Sequence, residues 1–62
     1  MKCNQVLKLL FNAGWFIYSQ KGSHIKLRHP IHTNTIIFPN HGSKELGKGL
    51  MIKLLKEANI NP

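Results

Sequence analysis

A chain of 62 residues with a formal net charge of +7 and one cysteine is too short for a second domain and cannot close an internal disulfide. It holds no apolar run near the roughly 20 residues that cross a bilayer and no signal-peptide h-region at its start, so residues 1–62 read as a single soluble cytoplasmic domain with Cys3 reduced and no membrane partner. Nine Lys and Arg oppose only Glu45 and Glu57, which makes nucleic acid the natural partner and leaves too few carboxylates for a two-metal nuclease.

Val6, Leu9, Leu10 and Ala13 recur at helical spacing from Cys3 to Ala13, with Leu7 and Phe11 widening the apolar stripe. Asn4 is the expected N-cap, and Gly14 is the expected residue that stops the helix. Trp15 to Gln20 is aromatic and β-branched and reads as a strand. Lys21-Gly22-Ser23 is the turn after it, where Gly22 can take the positive φ of a tight hairpin. His24 to His29 alternates strictly between polar and apolar, the mark of a half-buried strand. Pro30 ends it, residues 31–34 form a loop, and Thr35 to Phe38 is a third strand closed by Pro39.

Residues 40–43 are a turn. Helical spacing returns from Lys44 to Asn59, with Leu46, Leu50, Met51, Leu54, Leu55 and Ala58 on one face. Gly47 and Gly49 weaken the first turn by about 1 kcal/mol each, so the helix proper is expected to start near Lys48. The order α-β-β-β-α predicts an α+β fold: a three-stranded antiparallel sheet with both helices on one face.

Alternation sends Ile25 and Leu27 under the helices and turns His24, Lys26 and Arg28 to the open face. A titratable imidazole in line with two fixed cations suits a phosphodiester. The cations hold the phosphate and the imidazole moves a proton. The metal-free route this chemistry allows is attack of a ribose 2′-OH on the adjacent phosphorus, which requires RNA. His24 is the candidate catalytic residue. His41, after the third strand, is a candidate second acid or phosphate contact. Lys21, Ser23, Lys26, Arg28, Lys44 and Lys48 are candidate RNA contacts. Cys3, His29, His32 and His41 match no standard zinc spacing, so no metal or cofactor is expected. Of Trp15, Phe16 and Tyr18, which could stack bases, alternation sends part inward. A non-catalytic RNA-binding module accounts for charge and fold equally well and differs only at His24.

Val6-Leu7-Lys8-Leu9-Leu10 with Gly14-Trp15, then Gln20-Lys21-Gly22-Ser23-His24, then Pro39-Asn40-His41-Gly42 with Lys44-Glu45-Leu46, and the closing Leu54-Leu55-Lys56-Glu57-Ala58 resemble the HicA toxin family over nearly the whole chain. The resemblance implies a double-stranded-RNA-binding-domain-like fold. It also implies an mRNA interferase that cleaves mRNA and inhibits translation as the toxin of a type II toxin–antitoxin pair. The family's catalytic histidine falls on His24, and a HicB-type antitoxin is implied as the protein that covers the site. Family members commonly carry a basic residue near Gly47 and a threonine near Leu50, and Asn59 stands where a glycine is common.

Overall fold

A computed structural model describes residues 1–61. The elements follow in the order α1 (Cys3–Asn12), β1 (Phe16–Lys21), β2 (His24–Arg28), β3 (Ile36–Pro39) and α2 (Lys48–Glu57). The strands form an antiparallel meander in the spatial order β1-β2-β3. This is the expected α-β-β-β-α architecture.

Burial alternates along β2 as the sequence alternates: Ile25 and Leu27 are buried, while His24, Lys26 and Arg28 are exposed. Directly opposed residues of an antiparallel pair share a face. Phe38 and Ile36, opposite Ile25 and Leu27, are therefore buried with them. Both helices close over this face. Cys3, Val6 and Leu10 of α1 and Leu54 and Leu55 of α2 join the four strand residues in one core, together with Trp15, Leu46 and Ala58. Full burial of one such side chain contributes about 1.5–3 kcal/mol, which fixes the face that meets the helices and leaves the other open. The edge strand β1 adds no buried residue.

The helical stripes differ in detail from their expected composition. In α1, Leu9 and Phe11 stay exposed, as does the C-cap Ala13, and Cys3 is buried instead. Apolar residues crowd this helix, so its periodicity admits more than one stripe, and contact with the sheet selects Cys3-Val6-Leu10. In α2, Leu50 lies in the first turn and remains 39% exposed. Leu46 is buried but precedes the helix, which begins at Lys48 after the N-cap Gly47.

Lys2, not Asn4, is the N-cap of α1. The amides that a capping side chain would serve are taken by the backbone of a later loop. The N–H of Cys3 donates to the Lys44 carbonyl at 2.9 Å, and that of Asn4 to the Gly42 carbonyl at 3.0 Å. Gln5 Oε1 accepts from the Lys2 N–H at 2.8 Å. With these donors satisfied, Asn4 has no capping to do.

Both helices end in a Schellman motif. Gly14, at φ +100°, donates to the Phe11 carbonyl, and Trp15 donates to that of Leu10. Asn59, at φ +60°, donates to the Lys56 carbonyl, and Ile60 donates to that of Leu55. Asparagine is the side chain that best tolerates this conformation after glycine, so Asn59 preserves the cap. The first motif also removes Trp15 from the expected strand. Its ring enters the core at 2% exposure, its Nε1–H donates to the Ala58 carbonyl at 3.4 Å, and β1 starts at Phe16.

Candidate nucleic-acid interface

The hairpin between β1 and β2 sets the site. Lys21 and His24 face each other across a two-residue loop, Gly22-Ser23. Gly22 has φ +60° and Ser23 does not have positive φ, the pattern of a type II′ turn with glycine first. A Cβ on Gly22 would meet nothing within 4 Å, so glycine is required there by backbone conformation rather than by space. The register that follows from this turn places Lys21 beside His24 and Ser19 beside Lys26, and on the other side Ile37 beside Lys26.

A concavity of about 510 Å³ lies on this open face, lined by Ser19, Gln20, Lys21, His24, Lys26 and Ile37. It brings together three of the expected residues: His24, Lys21 and Lys26. Ser19, Gln20 and Ile37 were not anticipated. The register across the Gly22 turn was the signal that could have found Ser19. Gln20 Nε2 donates to the Gly22 carbonyl at 3.1 Å and braces the turn. The His24 ring is exposed, and among the described residues no side-chain hydrogen bond engages it.

Arg28, further along the same face, lies outside the concavity, with its guanidinium carbon 5.0 Å from the centre of the Tyr18 ring. Ser23 is half-buried in the turn, and its carbonyl accepts from the Asn40 N–H at 2.7 Å. This bond holds the exit of β3 against the hairpin. His41 follows it, exposed and not among the residues lining the concavity. Lys44 sits in the loop that caps α1, and Lys48 is the first residue of α2. The strands carry no acidic residue. Glu45 lies 3.3 Å from the N-terminal ammonium, and Glu57 is the last residue of α2, so the fixed charges on the strands, Lys21, Lys26 and Arg28, are all positive.

The other histidines are built differently. His29 Nε2–H donates to the Ala13 carbonyl at 2.9 Å, and Nδ1 accepts from the Ile31 N–H at 3.0 Å. Because the backbone amide can only donate, the proton sits on Nε2. The His32 ring stacks on Trp15 with centroids 5.7 Å apart and planes at 11°, and His29 meets Trp15 edge-on at 5.1 Å. Among the described residues no three His, Cys, Asp or Glu side chains gather as a metal-binding group. Cys3 is buried in the core, and among the described residues no helix is long and apolar enough to cross a membrane.

Comparison with known proteins adds three findings. Residues 3–60 match the family described as the HicA toxin of bacterial toxin-antitoxin. The chain is 32% identical, over 60 residues that make up 97% of each protein, to a probable mRNA interferase HicA of Pseudomonas fluorescens (strain Pf0-1). It also superposes, with a TM-score of 0.84 and 30% identity, on a chain of a solved HicA3 and HicB3 toxin-antitoxin complex, covering 100% of this chain and 98% of that one.

Proposed function

Since the chain belongs to the HicA toxin family, we propose that it is a metal-independent endoribonuclease that cleaves mRNA in the cytoplasm, with His24 as its acid/base residue. The observation that carries this reading is the His24 ring itself. It is exposed, free of protein hydrogen bonds among the described residues, and set in a concavity between Lys21 and Lys26.

The neutral imidazole takes the proton of a ribose 2′-OH. The freed oxygen bonds to the adjacent phosphorus, and the bond from phosphorus to the 5′-oxygen breaks. The products are a 2′,3′-cyclic phosphate end and, once the leaving oxygen gains a proton, a 5′-hydroxyl end. Lys21 and Lys26 offset the negative charge that builds on the phosphoryl oxygens. His41 is the candidate donor of the second proton. Ser23, Arg28, Lys44 and Lys48 are assigned to substrate contacts outside the concavity. DNA, which lacks the 2′-OH, is not a substrate by this route.

A HicB-type antitoxin fits the same face. The relative of known structure was solved as a toxin-antitoxin complex, and a net charge of +7 favours an acidic partner. Loss of mRNA by cleavage would inhibit translation until that partner binds.

The test is cleavage of a labelled single-stranded RNA in EDTA by this protein and by His24→Ala. A positioned acid/base residue contributes about 10²–10⁴-fold, so the variant should lose at least about a hundredfold in rate while keeping its fold and RNA affinity. Equal cleavage by a folded His24→Ala protein would overturn the assignment. Binding without cleavage by either protein would favour the non-catalytic module.

A further inference from the structure

The open sheet face continues beyond the concavity, and what it carries there is aromatic. Between Ile17 and Ser19 the β1–β2 register shifts by one residue. Ser19 opposes Lys26, Ile17 opposes Leu27, and Tyr18 opposes neither. This is a β-bulge, a device that re-aims side chains and recurs beside active sites.

Its effect here follows from counting back from the turn. Lys21 and Ser19 share the open face with His24 and Lys26. Unbroken alternation would put Ile17 on that face, and Tyr18 and Phe16 on the helix side. The extra residue reverses this. Ile17 now pairs with the buried Leu27, and Phe16 pairs with the exposed Arg28. The Tyr18 ring lies against the Arg28 guanidinium at 5.0 Å. One inserted residue therefore brings two aromatic side chains to the cationic face, where Tyr18 is 61% exposed and Phe16 45%.

We infer that Tyr18, with the guanidinium of Arg28 against it, is a stacking platform for a base of single-stranded RNA one or two nucleotides from the phosphate at His24. The ligand chemistry follows from the surroundings. An aromatic ring beside Lys26 and Arg28, with no carboxylate on the strands, matches alternating bases and phosphates. Arg28 and His24 are four residues apart on one strand, about 13 Å at the usual rise, so the platform serves a nucleotide adjacent to the cleaved one or the next beyond. Contact with Arg28 orders the ring before RNA arrives, which lowers the entropy lost on binding. This inference rests on the ribonuclease reading only for what occupies His24. The stacking itself is a binding property.

The experiment uses the His24→Ala protein, so that RNA is not consumed, and a single-stranded oligoribonucleotide with one abasic position moved along it. Tyr18→Ala should weaken binding of the intact oligonucleotide by about tenfold or more, the scale of one stacked base. Tyr18→Phe should restore it to within about twofold. One abasic position should weaken the parent protein's binding but cost nothing further with Tyr18→Ala, the non-additivity of two halves of one contact.

Equal affinity of Tyr18→Ala and its parent overturns the inference, as does an abasic penalty that Tyr18→Ala leaves unchanged. A Tyr18→Ala protein that loses only an acidic protein partner and keeps its RNA affinity also overturns it. If the unmodified chain binds RNA but does not cut it, the ribonuclease reading falls and the stacking result stands on its own.

Discussion

His24 and His29 lie five positions apart in one strand and its extension, yet they have opposite structural environments. His29 has both ring nitrogens engaged by backbone groups and rests edge-on against Trp15. His24 has neither nitrogen engaged among the described residues, and it lines a cationic concavity. A ring bonded at both nitrogens is committed to holding the chain together, here the end of β2 against the end of α1. A ring with both nitrogens open to solvent can exchange protons with a substrate. Residue type alone does not separate the two roles; the partners of each nitrogen do.

Exchanging the perturbation between the two sites is the strongest way to break this comparison. His24→Ala should cut RNA at least about a hundredfold more slowly with an unchanged melting temperature. His29→Ala should keep its cleavage rate per folded molecule. Its stability should fall by about 2–3 kcal/mol, from two hydrogen bonds near 1 kcal/mol each and one aromatic contact. In a chain this size that shifts the melting temperature by roughly 10–20 °C. Paired calorimetry and kinetics decide the matter, and loss of rate in folded His29→Ala would refute the division.

Gly14→Ala sharpens the structural half. A Cβ there would meet His29 Nε2 at 2.7 Å, at a φ of +100°. The substitution combines about 1–2 kcal/mol of left-handed strain with displacement of the ring. In a His29→Ala background only the strain should remain. Urea unfolding of the four proteins of this cycle measures the difference, and full additivity would show that Gly14 and His29 do not interact.

The smallest effect belongs to the cationic face. Lys26→Ala should weaken binding to all single-stranded RNA sequences alike and reduce the slope of log affinity against log salt by about 0.7, the loss of one phosphate contact. An unchanged slope in a titration from low to high salt would remove Lys26 from the phosphate-binding set. Lys53, on α2 away from the strands, is the matched control and should leave the slope as it was.

Much of the architecture is legible in the chain. Strict alternation from His24 to Arg28 commits Ile25 and Leu27 to the core, because burying the polar set instead would cost several kcal/mol. Lys21-Gly22-Ser23-His24 fixes a hairpin because Gly22 adopts its positive φ without strain. Those two features place His24 beside Lys21 and Lys26. The α1 stripe is less legible, since apolar residues on several sides of the helix leave its orientation to packing. Asn4 looks like a cap and is none, because the helix already starts at Cys3, where the N–H groups of Cys3 and Asn4 meet carbonyls from Lys44 and Gly42, some forty residues away in the sequence.

What the amino-acid order determined by itself is whatever rests on neighbours within a turn or a strand: the helix end at Gly14, the hairpin, and the outward set His24, Lys26 and Arg28. The tertiary structure alone decided the Tyr18 bulge, the engagement of His29 by Ala13, and the burial of Trp15 beneath Ala58. Each of these depends on contacts between segments distant in the chain. Periodicity describes one element at a time, whereas a register shift, a shared hydrogen bond and a filled core exist only once two elements meet.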